Sequence, residues 1–277
     1  ILAGSIPASL PQSVYERLLA RLQGRGVRAV VDATRDLLVN VLPYHPFLIK
    51  PNNHELGEIV GKVLTTDAEI VAAARTLQEK GARNVLVSMA GDGALLLDEQ
   101  GQVHRIGCPK GKVVNSVGAG DSMVAGFVAG WQQTRSLLAL GGGKLTGQGL
   151  FHGTQTQAKD AWSLPARHTD FIFSVIGEEL GMLGCLFTIA LLAAIIFRCV
   201  LIARHTQQKM DMYICVGVAA MLIFQVICNI GMCLFVMPVI GLTLPFVSYG
   251  GTSIVTLFAA MGMASGIQKR ARPEWLR

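Results

Sequence analysis

A long stretch without charge in the C-terminal half limits how this chain can fold more than any other feature. Between Met212 and Gln268 there is no Asp, Glu, Lys or Arg. Such a stretch is longer than one buried helix of a soluble protein, and membrane-spanning helices explain it. Few of the 18 acidic residues follow Gly143: they are Asp160, Asp170, Glu178, Glu179, Asp211 and Glu274. The sequence therefore predicts a soluble part and then a membrane part, with the change between Gly130 and Gly143.

The net charge and the cysteines argue against two other classes of protein. The net charge of +6 does not indicate nucleic-acid binding, because the basic residues are scattered through the first part and flank the apolar runs of the second. None of the six cysteines belongs to a CxxC pair, and most lie in apolar runs. We interpret them as small buried hydrophobes rather than as disulfides or metal ligands.

Short buried strands alternate with amphipathic helices before the change. Strands are predicted at residues 1–5, 28–32, 47–49 and 84–88, and a hairpin at residues 94–97 and 103–106. Helices are predicted at residues 13–23, 35–42, 66–80 and 121–131. The third begins at Thr66 with Glu69 three residues on, which is the pattern of a capping box. This alternation predicts a mainly parallel sheet covered by helices.

A glycine-rich helix start carries the first candidate site. Gly118, Ala119 and Gly120 precede Asp121. Glycines let the backbone approach an anion, and the exposed amides and the helix dipole favour negative charge there. Asp121 could accept a proton from a hydroxyl that attacks a phosphate. The alternative is a glycine turn with an aspartate cap.

A strand-to-helix corner carries the second candidate site. Asn52 and Glu55 lie one helical turn apart, where they could hold a hydrated metal ion. The alternative is a solvated helix N-terminus. No spacing of direct metal ligands occurs in the chain.

Four stretches of this part together resemble the PfkB family of sugar kinases, most closely its phosphofructokinase and tagatose-phosphate kinase branch. They are residues 2–7, 49–56, 91–94 and 115–122, in the order of the family's motifs. The resemblance implies a ribokinase-like layered fold over residues 1–131, cut short at both ends. We expect this part not to phosphorylate sugars, because the family's N-terminal sugar pocket and its later adenine-site segments have no counterpart here.

The same resemblance implies roles for the candidate residues. Asp121 is the expected catalytic base, and the cofactors are ATP and Mg²⁺. The expected ligands are Gly91, Gly93, Gly118, Ala119 and Gly120 for ATP and the transferred phosphate, with Asn52 and Glu55 for magnesium.

The second part contains about three apolar runs of spanning length. A polar, glycine-rich loop is predicted at residues 132–170, and spans at residues 171–197, 212–237 and 253–267. Lys and Arg concentrate around Arg204 and after Gln268, which places both segments on the cytoplasmic side. The loops at residues 141–170 and 238–251 then face outside.

Polar residues next to these runs are candidates for function. Glu178 and Glu179 are carboxylates close to an apolar span, where they are either functional or paired, or else remain wet at the interface. Gln225 and Asn229 lie one turn apart in the second span and are interpreted as interhelical hydrogen-bonding groups.

Residues 132–277 resemble the C-terminal part of the RodA/FtsW family, the membrane glycosyltransferases that polymerise lipid-linked peptidoglycan precursor in elongation, division and sporulation. The matching stretches are residues 147–149, 153–155, 168–173, 177–181 and 245–251. The resemblance implies that Asp170 is the essential outer-loop carboxylate, a candidate base for the acceptor hydroxyl. The neighbouring polar site comprises His168, Thr169, Glu178 and Glu179.

Partners and location follow from the second resemblance. It implies a multi-pass protein of the bacterial cytoplasmic (inner) membrane, with a cytoplasmic C-terminus and a lipid-linked disaccharide as substrate. A penicillin-binding transpeptidase is the implied partner, and a divalent cation for the membrane part is left open. As a separate hypothesis, Lys159 and Arg167 screen the leaving pyrophosphate.

The two parts conflict in topology. A kinase belongs with cytoplasmic ATP, whereas the loop with Asp170 should face outside, and residues 124–131 are too short to cross a bilayer between them. We interpret the chain as a composite of two shortened genes, inactive in both respects. The alternatives are a sugar kinase of the 1-phosphofructokinase type and a membrane-anchored, non-enzymatic binding protein.

Overall fold

A computed structural model describes the chain except for residues 5, 8, 109–110, 112–117, 158–163, 165 and 272–277. The chain divides into two compact units, Ile1–Ala125 and Gly126–Arg277. Each unit is described by itself.

The first unit is built on a six-stranded mixed sheet. Its strands are β1 (Leu2–Ala3), β2 (Val30–Asp32), β3 (Leu48–Ile49), β4 (Asn84–Ser88), β5 (Ala94–Leu97) and β6 (Val103–Ile106). They lie side by side in sequence order. The first four are parallel, and β5 and β6 form the predicted antiparallel hairpin. The prediction of a mainly parallel sheet is confirmed.

Four helices accompany this sheet. They are α1 (Val14–Leu22), α2 (Arg35–Val41), α3 (Asn53–Val60) and α4 (Asp67–Glu79), with 3-10 turns at Leu42–Tyr44 and Ala90–Asp92. Their apolar faces and the strands share one core, in which Leu38, Ile49, Leu77 and Val85 are fully buried. Helix α4 begins with the predicted capping box between Thr66 and Glu69.

Helix α5 (Ala119–Gly142) is longer than the sequence predicts. A helix over residues 121–131 and a loop from residue 132 are expected, but the helix continues for another eleven or so residues, so the loop prediction is wrong for 132–142. In the second unit its side chains Gln133, Ser136 and Ala139 are buried. Because these residues recur every three positions, they form one buried helical face, which the polar Gln, Thr and Arg residues between them obscure.

Three long helices form most of the second unit. They are α6 (Ile172–His205), α7 (Lys209–Cys233) and α8 (Gly251–Ala271). Among the described residues, α6 and α7 are long and apolar enough to cross a membrane, by length and composition alone. Helix α8 covers the third predicted span, but its Gly, Ser and Thr residues make it less apolar. The composite of an α/β unit and a helical unit is therefore confirmed, with two candidate spans rather than about three.

The three helices pack through small apolar contacts and leave large apolar side chains outside. Cys199, Leu222 and Leu257 are buried in one shared cluster. Phe187 and Phe224 are more than half exposed, at 66% and 61%. Outward-facing phenylalanines on long apolar helices are compatible with an apolar surrounding such as lipid.

Candidate functional site

A buried charge pair joins two neighbouring strands in the first unit. The Lys50 Nζ atom lies 3.1 Å from Asp32 Oδ1, and the side chains are 9% and 17% exposed. Asp32 ends β2, and Lys50 directly follows β3, its parallel neighbour. Burial of a charge costs free energy unless the charge is paired or fully hydrogen-bonded, and here each charge pairs with the other. The pair therefore lies at the carboxyl edge of the sheet, where ligands of α/β proteins bind.

The start of α5 meets this pair. A Cβ atom added at Gly120 would lie 3.0 Å from Lys50 Nζ and 4.0 Å from an Asp32 carboxylate oxygen. Gly120 thus lets the ammonium group approach the first turn of the helix, and Gly118 has the positive φ of +80° that favours glycine. Backbone amides and an ammonium group together form a suitable environment for an anion. Asp121 is exposed in the same first turn.

Asn52 and Glu55 are occupied with each other. The Glu55 amide donates to Asn52 Oδ1 at 2.8 Å, and the Asn52 amide donates to Glu55 Oε2 at 2.9 Å. This reciprocal capping box begins α3, and both residues are half-buried there. The described residues contain no group of three His, Cys, Asp or Glu that could hold a metal ion. The magnesium role of the two residues stays a prediction.

Gly91 and Gly93 belong to the turn between β4 and β5. Gly93 has a φ of +90°, and a Cβ atom there would lie 2.0 Å from the Ile106 carbonyl oxygen. The close approach of β6 therefore explains why residue 93 is a glycine. Gly91 has open space around it. Contact of either residue with ATP stays a prediction.

The Lys50–Asp32 pair is the part of this site that sequence reasoning missed. Lys50 stands beside the Pro-Asn-Asn motif, but its partner is eighteen or so positions earlier in the chain. A signal was available, because both charged residues close consecutive buried strands. Parallel neighbours place such residues at one edge of the sheet.

In the second unit Glu178 is fully buried and bonded to a loop. Its side chain accepts hydrogen bonds from Thr154 Oγ1 at 3.0 Å, the Gln155 amide at 2.7 Å and the Thr156 amide at 2.9 Å. Gly153 is needed here, since a Cβ atom would lie 2.8 Å from a Glu178 carboxylate oxygen. Glu178 has a relative exposure of 0%, so the alternative of a wet carboxylate at the interface is wrong.

Glu179 is bonded to the same loop. It is 7% exposed and accepts from Thr156 Oγ1 at 3.2 Å and Gln157 Nε2 at 2.9 Å. Both carboxylates therefore hold the segment at residues 153–157. They are met by hydroxyl and amide donors, which satisfy a buried carboxylate without a cation.

A break in α6 explains how the loop reaches this position. Gly181 has non-helical angles, with a φ of +69°. The helix amides and carbonyls released there pair with the loop: Met182 N donates to Lys144 O at 3.0 Å, and Gln148 N donates to Glu178 O at 2.9 Å. Released backbone groups near an apolar helix must find such partners.

Asp170 lies just before α6 and faces a different loop. It is half-buried, and its Oδ2 atom lies 3.9 Å from the Cβ position of Gly241. Its backbone carbonyl accepts from Asn229 Nδ2 at 2.9 Å. Asn229 therefore bonds two loop segments, residue 170 before α6 and residue 242 after α7, rather than another helix as predicted. Gln225 Oε1 is buried with no partner among the described atoms. The two kinds of carboxylate therefore contact different loops: residues 154–157 bond Glu178 and Glu179, and residues 241–249 lie beside Asp170.

The basic residues proposed for pyrophosphate are only partly described. Arg167 Nη1 donates to the Thr156 carbonyl, and Arg167 Nε lies 3.2 Å from His168 Nε2. These contacts link the loop that binds the glutamates to the residues before Asp170. Lys159 lies outside the described residues.

Comparison with known proteins divides the chain into two parts similar to its two compact units. Residues 1–141 match the model of the pfkB family carbohydrate kinases, and residues 120–273 match the FTSW/RODA/SPOVE cell cycle protein family. The overlap of the two matches falls on α5, which contributes to both compact units.

Individual relatives agree with the family matches. The 1-phosphofructokinase of Bacillus subtilis is 50% identical over 47% of this chain and 43% of its own length. The peptidoglycan glycosyltransferase MrdB of Escherichia coli is 42% identical over 50% of this chain and 37% of its own length. The chain thus spans less than half of either relative. A crystal structure of phosphofructokinase-2 from Escherichia coli with fructose-6-phosphate is 28% identical, covering 51% of this chain and 50% of that one, with a TM-score of 0.43.

The buried charge pair beside a glycine helix start and the Asp170 segment before an apolar helix thus lie in two separately matched regions. The chain belongs to the pfkB carbohydrate kinase family over residues 1–141 and to the FTSW/RODA/SPOVE cell cycle protein family over residues 120–273.

Proposed function

We propose that the second unit is the acceptor-activating part of a membrane glycosyltransferase that acts on a lipid-linked disaccharide. The observation that supports this is the half-buried carboxylate of Asp170 at the start of a candidate membrane span. The proposed location is the bacterial inner membrane, with the C-terminus in the cytoplasm. A penicillin-binding transpeptidase is the proposed partner.

Asp170 would act as the general base. The acceptor hydroxyl attacks the anomeric carbon of the lipid-linked sugar, the bond from that carbon to the pyrophosphate oxygen breaks, and the hydroxyl proton moves to the carboxylate. Glu178 and Glu179 would not serve as bases, because their oxygen atoms already accept hydrogen bonds inside the protein. Their proposed role is to hold the outer loop next to Asp170.

The base role is tested in a full-length relative. We expect a RodA-type protein with alanine at the position equivalent to Asp170 to fail to restore growth of a polymerase-deficient strain, at normal protein abundance. The matched control is the change that corresponds to Gly217→Ala. Gly217 is exposed, and a Cβ atom added there meets nothing within 4 Å. Full restoration by the Asp170→Ala protein would rule out the base role.

A second candidate function concerns the first unit. We propose that it derives from an ATP-dependent phosphosugar kinase, with Asp121 as base and the α5 start and Lys50 as the phosphate site. The close approach of Lys50 Nζ to Gly120 supports this. ATP binding that is lost in the Gly118→Val variant would support the proposed phosphate site, and unchanged binding in that variant would count against it.

We propose that the chain as a whole is a composite that neither phosphorylates sugars nor polymerises the lipid-linked precursor. The chain spans 43% of the kinase relative and 37% of the glycosyltransferase relative, so the proposal concerns these stretches alone. Phosphorylation of fructose 1-phosphate or tagatose 6-phosphate by the purified chain would contradict this, as would polymer formation in proteoliposomes. A continuous genomic or transcript read across residues 131–143 would test whether the two parts are joined in the cell.

The alternative of a membrane-anchored binding protein leads to a different result. The purified chain would then bind neither ATP nor lipid-linked precursor, and it would retain a partner protein through its apolar helices. Precursor binding in detergent distinguishes the two.

A further inference from the structure

Three consecutive backbone carbonyls, ending at Asp170, are each bonded by the C-terminal half of the second unit. The His168 carbonyl accepts from the Tyr249 amide at 2.8 Å, and the Thr169 carbonyl accepts from Ser248 Oγ at 2.7 Å. The Asp170 carbonyl accepts from Asn229 Nδ2 at 2.9 Å. No regular helix or strand pairing requires these contacts, so they specifically fix the segment before α6.

Asn229 uses its side-chain amide only outside its own helix. It is fully buried, and its Nδ2 atom donates to Asp170 O and also to Leu242 O at 2.7 Å. One side chain therefore ties the segment before α6 to the loop after α7. The Oδ1 atom of Asn229 has no partner among the described atoms. The two hydrogen bonds that Nδ2 donates therefore account for an amide side chain in this apolar helix.

Ser248 makes a second tie of the same kind. Its hydroxyl donates to Thr169 O and accepts from the Leu244 amide at 2.8 Å. Ser248 and Leu244 are themselves buried. The hydroxyl thus fixes the loop's own shape and joins it to the Asp170 segment.

The same loop forms the wall beside the carboxylate. Asp170 Oδ2 lies 3.9 Å from the Cβ position of Gly241, where φ is +75°. Gly241 adjoins Leu242, whose carbonyl Asn229 holds. A shift of the loop would therefore move the wall and the backbone of Asp170 relative to each other.

We infer that Asn229 and Ser248 are positioning residues that hold the Asp170 carboxylate against the loop at residues 241–249. The assignment rests on the proposed function for its meaning, since Asp170 is the base there. It goes beyond that function in placing the control of the base on two uncharged residues of the C-terminal half.

The test uses the full chain in detergent micelles and four variants. Asn229→Asp keeps the size of the side chain but removes the amide donors, and Ser248→Ala removes the hydroxyl. Ser248→Thr keeps the hydroxyl. Thr256→Ala is the matched control, because it removes an exposed hydroxyl that bonds the Thr252 carbonyl of its own helix, α8, at 2.8 Å.

Two readouts follow the segment and the carboxylate separately. Hydrogen exchange of the Tyr249 amide reports the bond to His168 O, and amidation of Asp170 by a carbodiimide with glycinamide, measured by peptide mass spectrometry, reports the carboxylate. We expect both rates to rise about tenfold in Asn229→Asp and Ser248→Ala, the effect of one lost hydrogen bond. Ser248→Thr should restore both rates, and Thr256→Ala should leave them at the wild-type values.

The outcomes separate this inference from the proposed function. Unchanged amidation of Asp170 in both Asn229→Asp and Ser248→Ala would overturn the inference, whether or not exchange rises. Equal rates in Ser248→Thr and Ser248→Ala would overturn the role of the hydroxyl. Binding of lipid-linked precursor to the wild-type chain is measured separately, and absence of binding would count against the proposed function. The exchange rate of Tyr249 and the amidation rate of Asp170 would still decide whether Asn229 and Ser248 position the carboxylate.

Discussion

At the scale of single residues, the Lys50–Asp32 pair is a nearly buried charge pair of the first unit whose loss can be measured. Lys50→Met should lower the free energy of unfolding of this unit by about 3 kcal/mol, because Asp32 would be left nearly buried without its counter-charge. Urea titration of the full chain, followed by hydrogen exchange of β4, measures this free energy. The double variant Lys50→Met/Asp32→Leu should recover most of the loss.

The exposed Arg35–Glu58 pair provides the control for this experiment. Its side chains are 73% and 53% exposed, so Arg35→Met should change the same free energy by less than about 1 kcal/mol. Similar losses in Lys50→Met and Arg35→Met would contradict the view that burial makes the first pair different.

A second residue-scale prediction concerns the pH dependence of the α4 cap. The Thr65 and Thr66 amides and both hydroxyl groups lower the pKa of Glu69 from 4.5 to about 2. Because the folded-state pKa is the lower one, the cap's contribution is complete above about pH 4.5 and is lost as the pH falls toward 2. Wild type should therefore be more stable than Glu69→Gln at neutral pH, and the two stabilities should converge near pH 2.

Carbon-13 NMR of labelled glutamate checks the cap directly. The Glu69 carboxyl signal should titrate near pH 2, whereas Thr65→Ala/Thr66→Ala should move the midpoint toward the ordinary value. A Glu69 midpoint near pH 4.5 in the wild-type chain would contradict the cap geometry.

At the scale of elements, the break in α6 holds the loop at residues 144–149. Gly181→Ala would place a Cβ atom 2.3 Å from Gly147 N in a left-handed conformation, so the loop must leave its partners. Trypsin should then cut after exposed Lys144 at least several-fold faster. Gly217→Ala in α7 meets nothing within 4 Å and should leave the cleavage rate unchanged. Equal cleavage in Gly181→Ala and wild type would show that the loop does not depend on the break.

Elements with a strong local signal could be predicted from the sequence, and those fixed by tertiary contacts could not. The hairpin at β5 and β6 and the Thr66 capping box depend on neighbouring residues, and both were predicted. The end of α5 depends on Gln133, whose Nε2 donates to Met232 O at 3.2 Å, about a hundred positions away. The burial of Glu178 likewise depends on donors at residues 154–156. Asn229 was recognised as a hydrogen-bonding group, but its partners on the Asp170 segment have no local signature.

At the scale of the whole molecule, the order of charged and apolar segments predicts the sides of the membrane. If α6 and α7 each cross once, Lys144 lies on one side and the segment with Arg204 and Lys209 on the other. Because the described part of the chain before α6 contains no helix that meets the length and apolarity required, Lys62 of the first unit should lie on the same side as Lys144. From the positive charge around Arg204 we predict that this segment is cytoplasmic.

Trypsin treatment of oriented vesicles tests this order with native residues only. We expect cleavage after Lys62 and Lys144 in right-side-out vesicles and cleavage after Arg204 and Lys209 in inside-out vesicles, because all four residues are exposed. Detergent-solubilised chain, which trypsin reaches from every side, shows that each site can be cut. Cleavage after Lys62 together with Arg204 would mean that α5 crosses the bilayer, despite Gln133, Arg135 and the other polar residues of its second half. The kinase-like unit would then face cytoplasmic ATP, and the conflict that leads us to propose a chain without kinase activity would disappear.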